Sequence, residues 1–307
     1  MIPATSKGPN CKARGARFTW PFLLMMTDES ITWRLIRSGP LPGAMNMALD
    51  DALLHSVASG ASVPILRLYR WQPATLTVGY AQTIDAGIDL DACRAGGIDV
   101  VRRPTGGRAV LHDREVTYAV IAPVGGPFGT GVAESYRVIA GVLRNVLCKF
   151  GLPAELVPGQ SRGQPGRAAC FTAPAQHELL VDGCKVAGCA QKRRGQMFLQ
   201  HGSIPLDLDL DLLKQLMPAP PGEVTTGRFR TIGWLNRFAS VPLLVDKVED
   251  ALVDGFVADL GIHFESGMPT LEESNVAEHL HAKWYGNRAW VLGGPGWRGA
   301  ADSAVDD

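Results

Sequence analysis

The chain has 307 residues, of which 46% are hydrophobic and 20% charged, and its formal net charge is zero. This neutral balance argues against nucleic acid as the main ligand, because phosphate binding usually requires a marked basic excess. No apolar stretch reaches the length of a membrane span, so we do not expect a membrane as a partner either. The composition is that of a globular protein with a substantial hydrophobic core.

The two ends of the chain differ from the rest. Residues 1–30 combine basic residues with the short apolar run FTWPFLLMM, but no small-residue cleavage site follows. We therefore predict a disordered extension rather than an export signal, with a translation start at Met25 or Met26 as the alternative. Residues 293–307 are rich in glycine and acidic residues and are predicted to form a flexible tail. Residues 31–292 contain no clear linker and are predicted to form one domain.

The six cysteines are irregularly spaced, and a chain of this length does not need disulfides to fold. Free thiols in a reducing cytoplasm are the expectation that follows. No C-x-x-C or H-x-x-x-H pair occurs, so no metal site is predicted.

In the first half of the domain, several predicted strands surround one predicted helix. TWRLIRSG alternates as a strand does, and NMALDDALLHSVASG has apolar residues at helical spacing before Gly60. PILRLYRW and ATLTVGY are predicted strands joined by a short turn at Gln72–Pro73. GIDVVRR is another, and REVTYAVIAP has the composition of a buried strand.

The second half contains the strongest helical pattern, ESYRVIAGVLRNVLCKFG, whose apolar stripe ends at Gly151. HELLVDGCKVAGCAQKR places Asp-Gly between two apolar runs, which predicts a tight hairpin. QMFLQHGSIPLDLD continues as a strand, and helices are predicted to dominate after about Leu210. Strands without a regular β-α-β alternation indicate an α+β fold, with a mixed, largely antiparallel sheet flanked by helices.

The segment RRPTGGRAVLHD has the features of a binding loop. Gly106 and Gly107 follow a strand and allow positive φ, so a ligand oxygen could lie against their N–H groups. Three flanking arginines suit an anionic or polarised ligand. The alternative is a tight structural turn. His112 with Asp113 is either an acid–base pair or a structural pair, and His177 and His201 leave the same choice open.

Cys170 and Lys185 are candidates for covalent chemistry. Cys170 falls in a predicted loop, and Lys185 begins the returning strand of the hairpin that follows. An ammonium near a thiol favours the reactive thiolate, whereas a lysine beside an apolar pocket loses its proton more readily and can act as a base. Either state suits acyl transfer through a thioester. An inert cysteine and a surface lysine are the alternative.

The motifs, taken in order, resemble the octanoyltransferases of lipoate biosynthesis, within the lipoate–protein ligase and biotin–protein ligase superfamily. The similarity spans residues 32–287 and is carried by VRRPTGGRAVLHDREVTY, ACFTAP, HELLVDGCKVAGCAQKR and LQHGSIPLDLD. It implies a lipoate/biotin protein ligase-like catalytic domain with Cys170 as the acyl-thioester residue and Lys185 as its partner. It also implies an acyl pocket that includes Arg103, Gly106, Gly107 and His112. Cys189 stands where a small serine is common.

The resemblance implies a two-step transfer. The Cys170 thiolate would take the octanoyl group from octanoyl-acyl carrier protein. The amine of an acceptor lysine, on glycine cleavage H protein or another lipoyl domain, would then attack the acyl-enzyme. No cofactor is implied, because the donor thioester is already activated.

Three other functions fit parts of the sequence. An ATP-dependent lipoate–protein ligase of the same fold would need no cysteine, although its motif usually has a third glycine where this chain has Arg108. An amidotransferase that moves octanoyl from H protein to other lipoyl domains would also use a cysteine. A non-catalytic scaffold that binds lipoyl domains would tolerate the loss of Cys170.

Overall fold

The computed structural model describes residues 32–84, 87–157, 178–219 and 229–296. The predicted N-terminal extension and most of the predicted tail lie outside these ranges. Cys170 and His177 also lie outside them. Among the described residues, no helix combines the length and the apolar character needed to cross a bilayer.

The described ranges contain twelve strands and seven α-helices. The strands are β1 (Thr32–Leu41), β2 (Ile65–Trp71), β3 (Thr75–Val78), β4 (Asp99–Arg102), β5 (Val110–His112), β6 (Glu115–Pro123), β7 (Ala154–Leu156), β8 (Leu179–Val181), β9 (Cys184–Lys185), β10 (Gly188–Arg194), β11 (Met197–Pro205) and β12 (His263–Gly267). The helices are α1 (Gly43–Ala58), α2 (Leu90–Ala95), α3 (Val132–Lys149), α4 (Leu210–Leu216), α5 (Val245–Leu260), α6 (Leu271–Leu280) and α7 (Arg288–Gly293).

The main sheet has six strands in the order β10-β11-β6-β2-β1-β12. The first four strands are antiparallel to one another, and β1 and β12 extend the sheet in parallel. The prediction of a mixed, largely antiparallel sheet flanked by helices is confirmed. Two three-stranded sheets, β4-β3-β5 and β7-β8-β9, complete the set of sheets in the described residues.

Two details differ from the sequence-based prediction. The strands on either side of Gln72–Pro73 belong to different sheets, so this turn carries the chain out of the main sheet. Helices dominate after Leu210, as predicted, but one strand that was not predicted, β12, pairs with the first strand of the domain. β12 is short and mostly exposed, and so it lacks the apolar alternation that identifies a strand.

Helices cover both faces of the main sheet. On one face α1 packs over a core that includes Leu53, Ile65 and Tyr69. On the other face the apolar stripe of α3 is buried as predicted, and α5 packs beside it. The two helices meet at Gly255, where a Cβ atom would lie 2.5 Å from Cγ2 of Val146 and 3.2 Å from Cγ1 of Val142.

Replacing Gly255 tests this close approach. We expect Gly255→Ala to lower the free energy of unfolding by about 1–3 kcal/mol, because the β-branched valines cannot rotate away easily. Gly141→Ala is the matched control: Gly141 lies within α3 with no atom within 4 Å of the added methyl group. That variant should gain about 0.5–1 kcal/mol from helix propensity. Urea unfolding of both variants measures the difference, and equal effects would contradict the packing described here.

Candidate functional site

Lys185 lies on a tight hairpin between β8 and β9. The turn residues Asp182 and Gly183 have φ of 48° and 71°, which is the turn chemistry predicted from Asp-Gly. The Lys185 side chain is only 5% exposed, and its Nζ donates to the carboxylate of Glu178, which is 8% exposed. The lysine therefore has a buried counter-ion and is not a surface residue.

Glu178 was not among the residues predicted from sequence, although the hairpin register contains the signal. A two-residue turn pairs Leu180 with Lys185, and side chains two residues apart on a strand share a face. Glu178 is therefore on the same face as Lys185. The position of Cys170 relative to this pair lies outside the described residues.

Two arginines donate hydrogen bonds to backbone carbonyls in and around the loop that contains Gly106 and Gly107. Arg103 donates to the carbonyl oxygens of Gly106 and Arg108, at 2.7 and 2.8 Å. Arg102 is buried and donates to the carbonyls of Gly79, Tyr80, Gln82 and Val291. The expectation that Arg102 meets a ligand is therefore wrong, because its guanidinium holds together backbone segments of the protein.

Gly106 and Gly107 themselves are exposed to solvent. Gly107 has φ of 95°, and its carbonyl is so close to Gly79 that a Cβ there would lie 2.0 Å away. Within the described residues, neither Gly106 nor Gly107 has a hydrogen-bond acceptor for its N–H group. Both backbone N–H groups are therefore available at the surface, and their binding of a ligand oxygen stays a prediction.

His112 pairs with Glu115 rather than with its neighbour Asp113. Its Nδ1 lies 2.8 Å from Oε1 of Glu115, its Nε2 lies 2.9 Å from Oγ1 of Thr77, and its ring stacks on Trp71. Asp113 is exposed and lies 3.5 Å from Arg114. His112 and Asp113 therefore form neither of the two pairs that the sequence left open, acid–base or structural, because β5 ends at His112 and Asp113 is exposed.

The buried carboxylate of Glu115 accepts several hydrogen bonds. Besides His112, its carboxylate accepts hydrogen bonds from the Trp71 indole, Thr117 and Ser203. A buried carboxylate is tolerated only when its oxygens are bonded in this way. The network fixes four side chains that border one cavity: Trp71, His112, Thr117 and Ser203.

A second buried network surrounds Asp50 on α1. Its carboxylate accepts from Arg67 at 2.6 Å, from the Tyr69 hydroxyl at 2.8 Å and from Nδ1 of His201 at 3.0 Å. Burial alone would raise the pKa of Asp50, but Arg67 and His201 outweigh it and hold that pKa below its usual range. Neither Asp50 nor His201 was assigned a role from sequence. An acid within the apolar face of a predicted helix is the signal that could have found Asp50.

Sheet register explains how these groups meet. His201 on β11 and Arg67 on β2 both pair with Ala119 of β6, so all three residues form one row across the sheet. Because the Ala119 side chain is small, Asp50 can reach from α1 to the residues on either side of it.

The cavity lies between these two networks, on the α1 face of the main sheet. Its apolar lining comes mainly from Met47, Tyr69, Trp71 and Val110, and its polar lining includes Arg103, His112 and His201. Of the predicted pocket residues, Arg103 and His112 line this cavity, whereas Gly106 and Gly107 do not. Lys185 lies outside the lining, but Gly188, three residues further along the chain, forms part of the wall.

Cys189 borders the cavity with its backbone. It pairs with Gly202, which pairs in turn with Tyr118, and the pleat directs that row to the opposite face from His201 and Ser203. The Cys189 thiol interacts with the Tyr118 hydroxyl, and burial is the main cause that raises the pKa of Tyr118. The thiol is therefore directed away from the polar wall of the cavity.

The sequence matches the lipoyl protein ligase A/B catalytic domain over residues 42–257. The chain belongs to this family. It is 43% identical over 263 residues to the octanoyltransferase LipM of Kyrpidia tusciae, covering 82% of this chain and 96% of that protein. It is 39% identical to the octanoyltransferase LipM of Bacillus subtilis, covering 84% of this chain and 97% of the relative.

Solved structures of the lipoyl protein ligase A/B family share the fold. Lipoate-protein ligase A bound with ATP superposes with a TM-score of 0.73 at 27% identity, over 85% of this chain and 99% of that one. The putative lipoate protein ligase Ta0514 of T. acidophilum, with bound lipoic acid, gives 0.71 at 26% identity, with the same coverage. The expected fold, a single-domain ligase-like sheet with flanking helices, is confirmed.

The burial of His201 should be visible as a pH dependence of stability. Burial lowers the pKa of His201 below its ordinary 6.5, so the unfolded chain takes up a proton at higher pH than the folded chain. The contribution of neutral His201 is full above pH 6.5 and is lost as the pH falls through the lowered value. The free energy of unfolding should then fall by up to about 1.4 kcal/mol per pH unit from this group.

In His201→Gln this term disappears, and stability should fall less between pH 6.5 and 5 than in the wild type. Denaturant unfolding at several pH values measures it. His279→Gln is the control, because His279 is exposed on α6 and should behave like the wild type. Parallel curves for His201→Gln and the wild type would contradict a lowered His201 pKa.

Proposed function

We propose that this protein is an octanoyltransferase of protein lipoylation that works through an acyl-thioester on Cys170. The observation that carries the proposal is the buried Lys185–Glu178 pair, which follows the ACFTAP motif and leads directly into the cavity wall. Relatives that match over nearly their whole length bear the name octanoyltransferase, which supports the acyl group and the reaction class.

The first step transfers octanoyl to the enzyme. The Cys170 thiolate attacks the carbonyl carbon of octanoyl-acyl carrier protein and forms a new carbon–sulfur bond. The carbon–sulfur bond to the carrier then breaks, and the carrier leaves as a thiol after taking up a proton. The N–H groups of Gly106 and Gly107 are suited to hold the oxygen that becomes negative in this step.

The second step transfers octanoyl to the acceptor. The ε-amine of a lysine on glycine cleavage H protein, or on another lipoyl domain, attacks the thioester carbonyl. An amide bond forms, the amine loses a proton, and Cys170 leaves as a thiolate ready for the next cycle. Two moderate barriers replace one large barrier. The bi-partite lipoate protein ligase of Thermoplasma acidophilum, a structural neighbour, forms a lipoylation system with its E2 lipoyl domain, which supports this class of acceptor.

Glu178 supports one of the two roles that the sequence left open for Lys185. A carboxylate in contact with the amine favours the charged ammonium over the neutral base. Lys185 therefore acts as a fixed positive charge that stabilises the Cys170 thiolate. Glu178 holds that charge in place and offsets the cost of burying it.

The cavity supplies the acyl specificity. Its apolar side chains remove the octanoyl chain from water, which contributes about 0.8 kcal/mol for each methylene buried. The transfer uses no metal or nucleotide, because the donor is already a thioester. The free cysteines among the described residues suit a reducing compartment, and we place the reaction in the cytoplasm.

Intact-mass spectrometry tests the acyl-enzyme. After incubation with octanoyl-acyl carrier protein in the absence of ATP, we expect one octanoyl group per chain, and peptide mapping should place it on Cys170 rather than Cys189. Cys170→Ala should lose the modification, and transfer to the acceptor should fall by several orders of magnitude. Cys148→Ala, a substitution on helix α3, which contributes no residue to the cavity lining, is the control and should retain both.

The same experiment separates the enzyme from an ATP-dependent ligase, the activity named for a structural neighbour. Acceptor modification by free octanoate that requires ATP and survives in Cys170→Ala would replace the proposal with a ligase. An unmodified chain that still binds the lipoyl domain would indicate a scaffold.

Alkylation of the thiol against pH tests the Lys185–Glu178 pair. Lys185→Ala should slow the reaction of Cys170 with iodoacetamide at neutral pH by about tenfold, because each 1.4 kcal/mol of lost thiolate stabilisation is a factor of ten. Glu178→Gln should give a smaller loss in the same direction. Lys185→Arg keeps the charge and should recover part of the rate. Identical alkylation profiles for the wild type and Lys185→Ala would show that the ammonium does not act on the thiol.

A further inference from the structure

Three side chains form a continuous hydrogen-bonded chain from the interior of the protein to the glycine loop. Oδ2 of Asp50 lies 3.0 Å from Nδ1 of His201, and Nε2 of the same ring lies 2.6 Å from Oγ1 of Thr105. The three residues come from α1, β11 and the loop that follows β4. These residues are far apart in the sequence, and the fold brings them together.

The chemistry of the three groups fixes the direction of the hydrogen bonds. Asp50 accepts from Arg67 and Tyr69 as well, so its carboxylate accepts the Nδ1–H of His201. Burial is the main cause that lowers the pKa of His201, and the nearby Arg103 and His112 lower it further, against the opposing effect of Asp50. The ring is therefore neutral at pH 7, and its Nε2 accepts the Thr105 hydroxyl hydrogen.

Thr105 is a buried residue at the start of the exposed loop that contains Gly106 and Gly107. It is 1% exposed, whereas Gly106 and Gly107, the next two residues, are exposed. Its carbonyl accepts from the Tyr80 N–H at 2.8 Å, and its hydroxyl is held by His201 on the main sheet. The directions of the Gly106 and Gly107 N–H groups therefore depend on where Thr105 is held.

We propose that His201 is a positioning residue: as a neutral imidazole oriented by Asp50, it holds Thr105 and so aims the Gly106 and Gly107 N–H groups at the acyl carbonyl. The proposal rests on the octanoyl transfer proposed above. It assigns His201 no proton transfer, because both ring nitrogens are engaged by the protein itself.

A second hydrogen-bonded chain of a carboxylate, a histidine and a threonine borders the same cavity. The two chains differ in how firmly the backbone at the threonine is already held. Glu115, His112 and Thr77 are linked in the same order, but Thr77 lies in β3 and its hydroxyl also accepts from Arg103. The backbone at Thr77 is already fixed by pairing with β4 and β5. Thr105 has no such strand pairing, so its hydroxyl bond has more influence on the local backbone.

Substitutions at Thr105 test the contact directly. Thr105→Val keeps the shape but removes the hydroxyl, and kcat/KM for octanoyl-acyl carrier protein should fall about tenfold, the equivalent of one ordinary hydrogen bond. Thr105→Ser restores the hydroxyl and should recover most of that loss. Thr270→Val is the control: it removes a helix-capping bond at the exposed start of α6 and should lower the Tm without changing kcat/KM. Wild-type kcat/KM in Thr105→Val would overturn the proposal.

Substitutions at His201 separate positioning from proton transfer. Gln cannot titrate, but its amide can accept from Thr105, so His201→Gln should retain several-fold more activity than His201→Ala across pH 6–8. If His201 transferred a proton, both variants would be equally inactive, and that result would overturn the proposal. Should either variant fail to fold, the Thr105 pair decides the question alone.

The two proposals fail differently. If Cys170 is never acylated in the wild-type protein, the octanoyltransferase itself is wrong. If Cys170 is acylated normally in Thr105→Val, the transfer stands and only the role of His201 is wrong. The rate of acyl-enzyme formation, followed by intact mass in single-turnover experiments, distinguishes these outcomes.

Discussion

The buried ion pair between Asp50 and Arg67 is the interaction on which the rest of the site depends. Both side chains are 0% exposed, and each is bonded on several sides: Arg67 also donates to Ser38 and Asn46. Such a pair is stable only while both partners are present, because either one alone is an uncompensated charge in the interior. It fixes α1 against the sheet, and the same carboxylate orients His201. The Asp50–Arg67 ion pair therefore fixes both the position of α1 and the polar wall of the cavity.

The polar wall follows from the pleat of the sheet rather than from any single loop. Ser203, Thr117 and Tyr69 form one row across β11, β6 and β2, next to the row formed by His201, Ala119 and Arg67. A shift of one residue in the pairing of β11 would turn His201 and Ser203 toward the opposite core. The register of β11 therefore determines which of its side chains face the cavity. The long antiparallel pairing of β11 with β6 fixes that register.

Local features of this chain could be predicted from sequence, and long-range partners could not. The Asp-Gly turn sets the hairpin that presents Lys185, and the stripe of α3 identifies its buried face, because both signals lie within a few residues. The partners of His112 and Arg102 depend on which segments meet in space. The sequence offers the adjacent Asp113 as a possible partner of His112, whereas the strand geometry selects Glu115. Arg102 was given to a ligand because a sequence does not show that carbonyl groups near residues 80 and 291 converge on it.

The parallel pairing of β12 with β1 joins the first strand of the described domain to one made more than two hundred residues later. During synthesis, β1 can pair with β2 early, but its other edge has no partner until β12 has left the ribosome. An unpaired strand edge readily associates with other chains. The nascent protein therefore carries an open strand edge for most of its translation, and that edge closes only when β12 pairs with β1.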